Sequence, residues 1–248
     1  MNESFPLPAL RAHLSGFGVV PAAARFGFGA EAIDTILGGG PLRARLHEIW
    51  PADIADAGSA TGFALMLARR AAGPGPIVWI TEERATRRHG LLHGPGLAEL
   101  GLEPGRFLLV RAPDATALLR TAGDVARSTA VGAAVIAPQE SAGFDLTATR
   151  RLTLFAERSG TTTILLHPAD PCMPSAATTR WRIAAASSAW LEADAPGAPA
   201  FHAELLRHRG GRPLPHLRME WDRDRAGFAP LPGAVPADAG GGHLADVG

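Results

Sequence analysis

Residues 38–72 read GGGPLRARLHEIWPADIADAGSATGFALMLARRAA. A glycine-rich turn, Gly38 to Gly40, leads into the apolar run Leu46–Trp50, which is a strand candidate. The loop Pro51–Gly62 follows. Then comes Phe63–Ala72, helical in composition, with Ser59 and Thr61 as possible N-cap residues. Strand, glycine-containing loop, helix is the setting in which backbone N–H groups and a helix N-terminus cradle phosphate. The expected fold hangs on this unit, because strands that alternate with helices build a parallel sheet.

The same alternation continues along the chain. Ile77–Thr81 and Phe107–Arg111 are β-rich runs, the second preceded by the turn Glu103-Pro104-Gly105. Asp114 is placed to cap a helix over Ala115–Thr129, with Leu118, Leu119, Ala122 and Val125 at helical spacing. Val131–Ile136 reads as a buried strand, Thr147–Arg158 as an amphipathic helix ended by Ser159-Gly160, and Thr161–His167 as a fifth strand. After Pro174 the helical segments stop. Trp181–Ala186, Ala189–Glu192, His202–Arg209 and Leu217–Trp221 are short strand candidates joined by turns. The predicted fold is therefore α/β: a mostly parallel sheet flanked by helices, extended by antiparallel C-terminal strands. Leu7–Leu14 reads as a short amphipathic helix, so residues 1–20 form a leading helix and linker, and 21–228 the core. Ala229–Gly248, rich in Pro, Gly and Ala, reads as a disordered tail.

Composition narrows the chemistry. The chain has 248 residues with 24 basic and 24 acidic side chains, and every basic one is arginine. Lysine is absent, which excludes a Schiff base, a lysine base and an ordinary P-loop lysine. A net charge of +0 gives no global attraction to nucleic acid, so any such contact needs a local patch. One cysteine, Cys172, excludes an internal disulfide or a thiolate-built zinc site, and its proline-flanked setting shows nothing that would activate a thiol. The opening residues lack the basic and apolar regions of a signal peptide, and no apolar run reaches membrane-spanning length. A cytoplasmic protein without membrane contact is expected.

As a phosphate site the loop fails at its decisive positions. Gly58, Ser59, Thr61 and Gly62 supply small residues, but Gly62-Phe63-Ala64 stands where Gly-Lys-Ser/Thr should be. Both the amine and the metal-holding hydroxyl are missing. Asp53 and Asp56 would repel a triphosphate.

The run Phe26–Leu42, FGFGAEAIDTILGGGPL, followed by Arg45-Leu46-His47-Glu48-Ile49, resembles the approach to the ATPase core of RecA-type recombinases. With RWRIAA at 180–185, the chain is most similar to the ImuA family, RecA-like proteins of bacterial damage-induced mutagenesis cassettes that also carry the label SulA-like. The resemblance covers roughly residues 7–228. It implies a RecA-like fold and places a catalytic glutamate at the end of the second strand, where Glu83 matches best. It also implies a Walker B aspartate where Ala137 stands, and a nucleotide-sensing glutamine where His167-Pro168 stands. Gly58, Ser59, Thr61, Gly62, Phe63, Glu83 and Ala137 then mark a vestigial nucleotide site, with no catalytic residue, cofactor or metal. The implied partners are ImuB, an inactive Y-family polymerase relative, and an error-prone replicative-type DNA polymerase, with RecA as a further implied contact. The expected role is non-catalytic bridging of these polymerases in SOS-induced error-prone translesion DNA synthesis.

Two other readings remain open at this level. An ATPase with an unusual loop would use Glu83 as base and an arginine in place of lysine. A DNA-binding module would use arginines: Arg180 and Arg182 share one strand face with Trp181 on the other, and Arg207 and Arg209 repeat that spacing. Pairing those strands would set four guanidinium groups on one face, with Glu204, Glu220 and Asp222 as alternative partners. Arg84, Arg87 and Arg88 cluster after the second strand. His89 and His93 lie four apart like a metal pair, but Gly90, Gly94 and Pro95 favour a loop.

Overall fold

The computed structural model describes residues 24–141, 143–169, 173–188, 197–209 and 214–231. The leading helix expected over Leu7–Leu14, Cys172, the strand candidate Ala189–Glu192 and the tail from residue 232 lie outside these. The first elements are α1 (Glu31–Ile36), β1 (Leu46–Pro51), α2 (Ala57–Ala72), β2 (Ile77–Glu82), α3 (Glu83–His89), α4 (Gly94–Glu99) and β3 (Phe107–Ala112). Then come α5 (Ala115–Ala126), β4 (Ala133–Ala137), α6 (Leu146–Ser159), β5 (Thr162–Leu166), β6 (Thr179–Ala185), β7 (Ala200–His208), β8 (Leu214–Asp222) and β9 (Gly227–Pro230). The strands form one sheet in the order β3-β2-β4-β5-β1-β6-β7-β8-β9. Pairing is parallel from β3 through to β6, where Glu48 lies opposite Arg180, and antiparallel from β6 to β9.

This is the α/β sheet that the alternation predicts, and burial explains why the two halves read differently. β1, β2 and β5 are buried at every position, because helices cover both faces of a parallel sheet. α2 packs on one face and α5 and α6 on the other. In β6, Trp181 and Ile183 are buried while Arg180 and Arg182 are half-buried, the alternation of an antiparallel strand with one face on the core. The extension shares the core of the parallel half: Phe28 and Phe63 meet Trp181 and Phe228 at ring-centroid distances of 5.1–5.9 Å. Phe201 and Trp221 close the cluster from β7 and β8.

Local signals mark the helix ends well. Asp114 accepts from Ala117 N at 2.8 Å and Asp145 from Ala148 N at 2.8 Å, satisfying N–H groups that the first turn leaves bare. Gly160 ends α6 with φ 88°, which a residue with a Cβ adopts only at a cost. Asp114→Ala is expected to cost about 1 kcal/mol, a fall of roughly 2–4 °C in the melting temperature, read by circular dichroism.

Three expectations need correction. α2 starts at Ala57, six residues before Phe63, so Ser59 and Thr61 lie inside the helix and cap nothing. α5 stops at Ala126, short of Thr129. The proline-rich end does not start at Ala229: Ala229 and Pro230 pair with Glu220 and Met219 in β9, anchored by buried Phe228.

Candidate functional site

The β1–α2 connection is short and self-satisfied. Ala52 N donates to Ile183 O at 2.7 Å, so the chain keeps running beside β6 after the strand ends. Asp53 accepts from Ala55 N at 3.0 Å and caps a single 3-10 turn, Ile54–Asp56. The Asp56 carboxylate accepts from Ala185 N at 2.8 Å. Gly58, Ser59, Thr61 and Gly62 occupy the opening turns of α2, where Thr61 Oγ1 donates back to Ala57 O at 2.8 Å and Gly62 lies under Phe201. Phe63, at the position a phosphate-binding lysine would take, is fully buried in the aromatic cluster. No glycine lies between Pro51 and Ala57, and the two acids of the turn are spent on backbone N–H groups.

Other expected positions also resolve. Glu83 opens α3 and pairs with Arg87 at 3.6 Å in the i,i+4 manner of a solvated helix face. The buried glutamate at the end of β2 is Glu82, which accepts from Gln139 N at 2.9 Å and ties down the loop after β4. Ala137 ends β4 and packs against the core. His93 caps α4 by accepting from Gly96 N, and among the described residues no group of His, Cys, Asp or Glu could hold a metal. Among them, no helix is long and apolar enough to cross a membrane.

Arg180, Trp181, Arg182, Arg207 and Arg209 come together only in part. Arg180 lies opposite Arg207 across the β6–β7 pair, with a bulge just after Arg180. Each is held by its own chain: Arg182 Nε donates to Glu204 at 2.8 Å and Arg207 Nη1 to Ser175 O at 2.8 Å. Burial, then the charges of Arg209 and Arg180, lower the Arg207 pKa against the opposing pull of Glu48. Arg209 is exposed and follows the end of β7. Trp181 faces the core and donates through Nε1 to Thr179 Oγ1 at 2.9 Å. Of the four guanidinium groups expected on one face, Arg180, Arg182 and Arg207 are engaged within the chain, Arg182 by the expected alternative partner Glu204, and Arg209 lies beyond the strand.

The densest buried polar cluster was not visible in the sequence. Glu48 on β1 is 1% exposed and accepts from Arg180 Nε at 2.9 Å through one carboxylate oxygen. Its other oxygen lies 3.6 Å from His167 Nε2. His167 Nδ1 and the Ser141 hydroxyl share a hydrogen bond at 2.7 Å, while Nε2 is buried without a hydrogen-bond partner. The imidazole stacks on Trp50 at 4.2 Å and 3°, and Arg180 covers the Trp50 ring at 5.1 Å while also donating to Met173 O. Serine, imidazole and carboxylate are the parts of a hydrolytic relay. Here Ser141 is 8% exposed and the carboxylate pairs with Arg180, so the cluster is a clamp that ties β1 to β6 and to the loops after β4 and β5.

A second buried chain of bonds fixes the start of β1. Trp181 donates to Thr179 Oγ1, Thr179 donates to His47 Nδ1 at 2.7 Å, and His47 Nε2 donates to Leu42 O at 2.8 Å. Burial lowers the His47 pKa to about 4, outweighing the bond to Leu42 O, which raises it.

No protein-family model matches the chain. Two curated proteins of Caulobacter vibrioides, from strains NA1000 / CB15N and ATCC 19089 / CIP 103742 / CB 15, both named Protein ImuA, are each 35% identical to it over 202 residues. The match spans 75% of this chain and 79% of each relative.

Proposed function

The chain belongs to the ImuA family, and from that premise we propose that it is a non-catalytic RecA-like accessory protein of damage-induced, error-prone translesion DNA synthesis. In this reading it bridges partner polymerases in the cytoplasm by protein–protein contacts. The partners the family resemblance implies are ImuB and an error-prone replicative-type polymerase, with RecA as a further contact.

The observation that carries the non-catalytic part is the β1–α2 connection. A phosphate cradle needs free N–H groups on a glycine loop, a cation and a metal-holding hydroxyl. Here the connection runs from Pro51 into α2 at Ala57, its acids bind backbone, and Phe63 is core. DNA binding through β6 and β7 is the weaker reading, because Arg180, Arg182 and Arg207 already have partners within the chain.

Two measurements test the proposal. With about 5 mM MgATP the melting temperature is expected to stay unchanged; a site of roughly millimolar affinity would add about 1 kcal/mol and raise it by a few degrees. That rise would restore the ATPase reading. The tagged full-length chain is expected to recover the error-prone polymerases from a lysate made after DNA damage, and recovery of neither would remove the bridging role. Truncation before β6 is the wrong control, since it strips Trp181, Phe201, Trp221 and Phe228 from the core.

A further inference from the structure

α6 turns Thr149, Leu152, Ala156 and Ser159 inward. At 100° per residue, Leu154 stands on the crest opposite that buried stripe, and it is 49% exposed. Around it, one helical turn away, lie Arg150 at i−4, Arg151 at i−3 and Arg158 at i+4, all exposed. Among the described residues these three arginines have no ion pair, side-chain hydrogen bond or ring contact. The remaining neighbour, Glu157, is taken by Arg45 at 3.5 Å. Leu146 (38% exposed) lies two turns before Leu154, about 12 Å along the axis at 1.5 Å per residue. An apolar crest ringed by unbalanced positive charge is thus built on a rigid helix, in a chain whose total charge is +0.

We propose that the outer face of α6 is a docking surface for an acidic amphipathic helix of a partner protein. The partner's apolar stripe covers Leu146 and Leu154, and its carboxylates meet Arg150, Arg151 and Arg158. Charge complementarity selects an acidic partner. The leucines select protein over nucleic acid: a phosphate backbone would engage the guanidinium groups but leave both leucines against a hydrated strand. Their spacing suits helix-on-helix contact, in which anchors recur every one or two turns. The surface deepens the bridging role proposed above, but it is tested without the polymerases, so either idea can fail alone.

The probe is a fluorescein-labelled, helix-forming 18-residue peptide with leucines on one face and glutamates flanking them, alongside a twin with lysines in place of the glutamates. Anisotropy with the full-length chain is expected to show the acidic peptide binding at least about tenfold more tightly than the basic one. Arg150→Glu/Arg158→Glu should reverse that preference, and Leu154→Ser should weaken the acidic peptide several-fold. All three positions are on the surface, so the melting temperature should hold. Equal binding of the two peptides, or no binding, overturns the proposal. So does a single-stranded oligonucleotide that binds in the peptide's place and is lost on the same reversal, which would make the face a nucleic-acid contact. A dimer that Leu154→Ser dissociates would equally overturn it, in favour of a second copy of the chain.

Discussion

Glu48→Ala is expected to destabilise the protein by about 3–5 kcal/mol, because it leaves the largely buried Arg180 guanidinium without its carboxylate. For a chain of this size that is a fall of roughly 10 °C in the melting temperature. Glu48→Gln keeps an amide oxygen to accept from Arg180 Nε and should lose clearly less. The double change Glu48→Leu/Arg180→Met removes both charges together and should recover most of the loss, since a buried pair contributes little beyond an apolar replacement. Calorimetry of the four proteins decides it. A single Glu48→Ala melt within about 2 °C of the parent would show that water already reaches the clamp.

Acid should weaken the fold well before the carboxylates titrate. His47 is neutral in the folded protein with its pKa lowered to about 4 by burial, against 6.5 for the free side chain. Between those values the unfolded chain takes up a proton that the folded chain refuses. Stability therefore falls as pH drops through this window and is unaffected by His47 above pH 6.5. At about 1.36 kcal/mol per pH unit, the full loss by pH 4 is about 3 kcal/mol. His208 adds in the same direction, its pKa lowered by burial and by Arg25. His47→Gln can still reach Thr179 and Leu42 but does not titrate. Urea unfolding at a series of pH values should show a clearly shallower slope than the parent's, the remainder belonging to His208, and matching slopes would assign the acid sensitivity to other groups.

What the sequence made legible follows from how local each cause is. Asp114, Asp145 and Gly160 act within four residues of themselves, so the ends they set could be read directly. The runs β1, β2 and β5 declare themselves because strands covered on both faces are mostly apolar, with His47, Glu48, Glu82 and the threonines as buried exceptions. The start of α2 could not be read. Its opening residues, AGSATG, have weak helical preference, and it is the packing of Ala60, Phe63, Ala64 and Leu67 that holds them helical. β9 was hidden for a related reason: Ala229 and Pro230 look like linker, and Phe228 alone carries them into the core. The Glu48 clamp joins residues 132 positions apart, with His167 and Ser141 from two other loops, and no spacing rule connects them. The resemblance placed a glutamate at the end of the second strand and matched it to Glu83. It could not show that Glu82 rather than Glu83 is buried there.

The position of β1 has a consequence for synthesis. Among the described strands it is the first to leave the ribosome, yet its two neighbours, β5 and β6, are Thr162–Leu166 and Thr179–Ala185. Until residue 185 has emerged, an apolar strand stands with at least one edge unpaired and its Glu48 carboxylate without Arg180. The nascent chain must thus carry a sticky, charged, half-finished centre through most of translation. Ribosome-bound chains cut short before β6 are accordingly expected to be the species that chaperones hold and proteases remove.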